Sequence, residues 1–138
     1  MRGLTKAEEQ IMRELTKAEE QVMQIVWKVG KGYINDFLDH FPEPKPAYNT
    51  VSTIVRILEK KGFIDHEPGS KSYIYFPTVT KREYTKHSFG QLLNGYFSNS
   101  YKQMVSFFAH DDKLSVNELE ELKKLIDKQI QEKQKQND

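Results

Sequence analysis

The sequence predicts a mainly α chain with one small β-hairpin (α+β), in which three helices precede the hairpin and further helices follow it. Three observations carry this. Apolar residues recur at helical spacing in three short runs between residues 15 and 61. A Pro68-Gly69 pair stands just ahead of the alternating stretch KSYIYF. Beyond residue 80 two longer apolar stripes return to the helical period.

The first run is Val22, Met23, Ile25, Val26 and Val29, with Ala18 and Trp27 beside it. Thr16-Lys-Ala-Glu19 opens it as a capping box, in which the Thr hydroxyl meets the N3 amide and the Glu reaches back. Gly30 and Gly32 end it. YINDFLDHF is a short second helix with Ile34, Phe37, Leu38 and Phe41 on its apolar side. Pro42–Pro46 holds three prolines and reads as an extended connector. The third helix is expected over 47–61, with Val51, Ile54, Val55 and Leu58 inward. At about 100° per residue, Asn49, Ser52, Thr53, Arg56 and Lys60 gather on the opposite side, within about 80° of its centre. That face carries amide, hydroxyl and cationic groups and no central carboxylate.

Gly62 stops the third helix. FIDHE and KSYIYF then form the hairpin, with Pro68-Gly69 expected as a type II turn. Tyr73 and Tyr75 share one strand face and Ile74 and Phe76 the other. From Thr80 a helix carries Phe89, Leu92, Leu93, Tyr96 and Phe97, and Ser98–Ser100 interrupts it. YKQMVSFFAH forms a further short segment. Ser115 and Glu118 make another capping box, opening a last helix with Leu119, Leu122, Leu125, Ile126 and Ile130 on one side.

At 138 residues the chain is one domain, or one with an appendage. It contains no cysteine, which excludes disulfides, thiol catalysis and thiolate metal sites. No run reaches the ~18 apolar residues of a membrane span. The start of the chain has charges where a signal peptide needs an apolar run, so direct membrane insertion is not expected and a cytoplasmic place is. Net charge is +1, but residues 45–86 hold eight Lys/Arg against four Asp/Glu, a net of +4. Residues 111–127 hold three Lys against six Asp/Glu, a net of −3. A basic middle attracts phosphate backbones. The four histidines show no helical pairing, and no triad order or phosphate-binding glycine loop is visible. No metal, no cofactor and no enzymatic activity are expected.

The chain also states one phrase twice. Arg2–Met12 reads RGLTKAEEQIM and Arg13–Met23 reads RELTKAEEQVM. Only the second copy runs on into IVWKVG, so residues 1–14 read as an extension that duplicates the helix start. Eleven residues make close to three helical turns, so one helix continuous through both copies is physically allowed.

Three helices followed by a hairpin is the element order of a winged helix. LTKAEEQVMQIVW, TVSTIVRILEKKGFI and KSYIYFPTV resemble the penicillinase-repressor family, which includes the methicillin-resistance repressor and copper-transport operon repressors. The resemblance rests on Leu15, Thr16, Ala18, Glu19 and Trp27, on Thr50, Val51, Thr53, Lys61 and Gly62, and on Tyr73, Tyr75 and Pro77. It continues through KLSVNELEELKKLI. It departs at Arg56, since family members often carry the arginine at the position of Ile57, and at Lys71, where family wings often carry arginine. The copper-responsive relatives use C-terminal cysteines, which this chain lacks.

The expected organisation is an extension over 1–14, a winged-helix DNA-binding domain over 15–79 and a helical dimerisation region over 80–138. The expected partner is double-stranded operator DNA, bound by a homodimer that represses transcription. Asn49, Ser52, Thr53 and Arg56 are placed for base edges in the major groove. Lys60, Lys61, Lys71 and Ser72 suit phosphates, and Tyr48, Thr50 and Tyr73 stand beside them. Phe89, Leu92, Leu93, Tyr96, Phe97, Leu119, Leu122, Ile126 and Ile130 are the candidate dimer surface. The resemblance further implies inactivation by a protease pathway driven by a membrane-bound antibiotic sensor, with the cut near Phe107-Phe108. The alternative is a winged-helix protein-interaction module without DNA readout.

Overall fold

The computed structural model describes residues 15–137. Among them the order is α1 (Lys17–Val29), α2 (Ile34–Leu38), α3 (Tyr48–Lys60), β1 (Ile64–Pro68), β2 (Tyr73–Pro77), α4 (Lys81–Phe97), α5 (Tyr101–Ala109) and α6 (Val116–Gln136). This is the expected mainly α chain with a small antiparallel hairpin. It divides into two compact units between Phe89 and Gly90, within α4.

In the first unit, Val22, Met23, Val26, Phe37, Val51, Val55, Leu58 and Phe63 are almost wholly out of water. They come from the inward faces of α1, α2 and α3 and from the approach to β1. Each large side chain buried this way contributes about 1.5–3 kcal/mol. The first half of α4 belongs here because Tyr84 packs on Trp27 and Phe63, with ring centroids 5.5 and 5.9 Å apart. Trp27 Nε1 also donates to Val79 O at 2.8 Å, which ties the end of β2 to α1. The two Trp27 contacts join residues more than fifty apart in sequence, so local pattern does not show them.

Thr16 caps α1 as expected: Glu19 N–H donates to its Oγ1 at 3.2 Å and Thr16 N–H meets Glu19 Oε1 at 3.5 Å. Thr16 is extended, with ψ 166°, so a helix unbroken through both copies of the repeat is overturned at this residue. The first copy itself lies outside the described residues. Gly62, at φ +85°, ends α3. Its N–H bonds Glu59 O at 3.0 Å and Phe63 N–H bonds Leu58 O at 2.9 Å. That is a Schellman motif, closed by two core residues, Leu58 and Phe63.

The hairpin pairs Ile64 with Pro77 and Pro68 with Tyr73. The type II turn expected at Pro68-Gly69 is not formed. Pro68 is still in the ladder, the connection is residues 69–72, and Gly69 N–H bonds Ser72 O at 2.9 Å. Gly69 is required by close approach, since a Cβ there would lie 2.6 Å from Ser72 O and 2.7 Å from the Tyr33 ring. A third strand-like segment joins the sheet: Gly32 and Tyr75 exchange backbone hydrogen bonds of 3.0 and 2.8 Å. Gly32 is therefore a sheet partner, and Gly30, at φ +88°, is the residue that ends α1.

In the second unit, the left-handed residues Ser98 and Asn99 break the chain between α4 and α5. Ser100 caps α5, accepting from Gln103 N–H at 3.1 Å. Ser115 and Glu118 close the expected box at α6. Leu93 is buried, whereas α5 and α6 contain no buried residue.

Candidate nucleic-acid interface

The outward face of α3 and the inner side of the hairpin enclose an open groove of about 290 Å³. Tyr48, Ser52, Arg56, Ser72 and Tyr73 line it together with Ile34, Glu59, His66 and Tyr75. Five of the expected interface residues are thus brought together from α3 and the wing. Asn49, Thr53 and Lys60 are exposed on α3, and Lys71 is exposed in the wing loop.

Three placements add to what the sequence reading expects. Ser52 was expected open to solvent, but it is 7% exposed. Its hydroxyl accepts from Arg56 Nη2 at 3.0 Å, so it sits beneath the guanidinium and aims it. Lys61 was expected to face phosphates. Its Nζ instead meets both carboxylate oxygens of Glu19, at 3.0 and 2.7 Å. Thr50 lies on a different side of α3, in a groove with Ala18, Val22, Phe41 and the prolines 42, 44 and 46.

Glu19 is 6% exposed, so the pair is a buried link between the start of α1 and the end of α3. Burial pushes its carboxyl up, but hydrogen bonds from Lys61 and Thr16 and the Lys61 charge outweigh that and leave it below the ordinary value. Tyr75 moves the other way: burial first, then the Glu59 charge, raise its phenol above the ordinary value despite Arg56. The Tyr75 ring therefore stays neutral at physiological pH.

The wing is fixed to α3 by His66, whose Nδ1 meets Glu59 Oε2. Its ring lies 4.3 Å from Tyr73 and 5.9 Å from Tyr75. Glu59, Asp65 and His66 bring three possible metal-donor atoms within 4.8 Å of one another. With Glu59 and His66 engaged with each other, the cluster acts here as a helix-to-strand clamp. Sequence reading missed Glu59 and His66 because they share no short-range pattern with each other.

The stretch from the start of α1 into α6 also matches a known family in sequence. The penicillinase repressor profile matches residues 15–128. The chain belongs to the penicillinase repressor family. Its members are transcriptional regulators rather than enzymes. The chain is 24% identical over 105 residues to the penicillinase repressor of Bacillus licheniformis, covering 75% of this chain and 82% of that one. It is 26% identical over 105 residues to the methicillin resistance regulatory protein MecI of Staphylococcus aureus (strain N315), covering 75% and 85%. The same figures hold for MecI of Mammaliicoccus sciuri. The match begins at Leu15, so residues 1–14 fall outside the family span. No described helix is long and apolar enough to cross a membrane.

Proposed function

We propose that this family member is a homodimeric, sequence-specific repressor that binds a palindromic operator and is inactivated by proteolysis in its C-terminal region. The observation that carries the reading is the α3 face. Asn49, Thr53 and Arg56 stand exposed on one side of a helix whose other side is core, beside a wing that presents Lys71 and Ser72. An exposed helix face of this kind fits the major groove. Arg56, braced by Ser52, supplies a guanidinium fork for a guanine edge, and Asn49 offers an amide for adenine. Lys60, Lys71, Ser72 and Tyr73 suit the phosphates on either side, and Tyr48 and Thr50 stand at the helix start. Lys61 takes no part, being held by Glu19.

Dimerisation is supported by the second unit. Leu92, Tyr96, Leu122, Ile126 and Ile130 are all exposed, and Leu119 and Phe97 are half-buried. Helices with uncovered apolar stripes bury them best against a second copy, and two-fold readers pair recognition helices across one site.

Phe107 and Phe108 lie in the last turn of α5. Phe107 is 72% exposed although its ring also meets Phe97 at 5.6 Å. A cut between them would release α6 and its share of the dimer surface, and the avidity of two linked half-sites would go with it. A protease responding to a membrane-bound sensor would thereby end repression. The test is a chain ending at residue 107, measured for oligomeric state and operator affinity. Expected is a weakened dimer with much reduced affinity. A tight dimer with full affinity would show that a cut there is not the switch.

A further inference from the structure

The wing reaches the proposed DNA surface on a four-residue connection, 69–72, that carries one backbone hydrogen bond of its own, Gly69 N–H to Ser72 O. A hairpin tip held only by its own ladder sways. Here it is held from outside. Tyr33 lies between α1 and α2, one residue after the sheet partner Gly32. Ser70 N–H donates to Tyr33 Oη at 3.2 Å, and Ser70 Oγ and Tyr33 Oη share a second hydrogen bond of 3.2 Å. The ring occupies the space that a Cβ at residue 69 would need, at 2.7 Å. The other end of Tyr33 is anchored too, since its backbone N–H donates to Asp36 Oδ2 at 2.8 Å.

We propose that Tyr33 is a positioning residue for DNA binding: a strut that holds the wing tip where Lys71 and Ser72 meet the phosphate backbone. The role rests on the operator-binding reading above. Tyr33 touches no nucleic acid itself. It lowers the entropy that the wing loses on docking, because the tip is already in place. Gly69 and Tyr33 form one device, in which the missing side chain admits the ring and the hydroxyl fastens the loop. Phenylalanine at 33 keeps the ring against Gly69 but loses both hydroxyl bonds.

The test uses the full-length chain with Tyr33→Phe, Lys71→Ala and the double variant on a selected operator duplex, and amide exchange on the free proteins. Tyr33→Phe is expected to speed exchange at Ser70 and to weaken operator binding about fivefold, with little change in thermal midpoint. Lys71→Ala should cost about fivefold in the parent and less than twofold beside Tyr33→Phe, because a loosened tip no longer delivers the lysine. A role in folding alone would leave the two losses independent. Wild-type affinity in Tyr33→Phe, or losses that multiply while Ser70 exchange is unchanged, would overturn the proposal. A parent chain that binds no DNA would overturn the operator-binding reading and the positioning role with it. Ser70 exchange would still report the strut separately.

Discussion

Replacing Lys61 by methionine separates stability from recognition at one position. The substitution keeps the aliphatic stem and removes the ammonium that faces the Glu19 carboxylate at 2.7 and 3.0 Å. Glu19 is then a buried carboxylate whose remaining donor among the described residues is the Thr16 backbone N–H, at 3.5 Å. Breaking a buried pair from one side costs about 3–5 kcal/mol. The Lys61 side chain is 27% exposed, so water can partly replace it, and about 2–3 kcal/mol is the reasoned loss. For a domain of this size that lowers the thermal midpoint by about 8–20 °C. Adding Glu19→Gln should restore most of the loss, because the stranded charge is gone. Circular dichroism melts at pH 7 measure all three proteins. Operator affinity well below the midpoint should change less than twofold in Lys61→Met. A midpoint within 2 °C of the parent, or a large loss of affinity without loss of stability, would refute the reasoning; the first would mean the pair is worth no more than a surface contact (about 0–1 kcal/mol).

Three further outcomes are expected. The Glu19 carboxyl titrates below its ordinary value in the folded chain, so its stabilisation is present above the ordinary glutamate value and fades as pH falls through the lower folded value; Glu19→Gln should flatten that acid limb in melts taken from pH 6 to 3. Arg56→Ala should cost about 1–3 kcal/mol of specific binding and relax preference at one base, read by titration against single-substituted operators, whereas loss equal on all sequences would make Arg56 a phosphate clamp. Deleting residues 1–11, which lie outside the family match, should leave the melting midpoint and operator affinity nearly unchanged.

Local chemistry was legible in the sequence. Thr16-Glu19 and Ser115-Glu118 name their own caps, Gly62 its own helix end, and Val51, Val55 and Leu58 their own buried face, because each needs partners only three or four residues away. What escaped reading depends on distant partners. Ser52 lies on the outward side by helical angle, yet it is buried, with the Arg56 guanidinium hydrogen-bonded to its hydroxyl. Lys61 reads as one more cation in a basic stretch until Glu19 arrives from 42 residues earlier. Gly69 looks like a turn glycine, and its constraint is the Ser72 carbonyl together with the Tyr33 ring from 36 positions back. The apolar stripes of α4 and α6 were legible as stripes. Their exposure is visible only once the chain is folded, and it is what points to a second copy.

The central claim is that two copies of this chain read one symmetric DNA site. It is met most directly by selecting binding sites from random duplex DNA with the purified full-length chain, at several salt concentrations. The account predicts enrichment of a two-fold symmetric sequence whose half-sites lie about one helical turn apart or a multiple of it, bound by a dimer with an affinity that falls steeply with salt. Failure to enrich any sequence, or enrichment of a lone asymmetric half-site bound by a monomer, would contradict it.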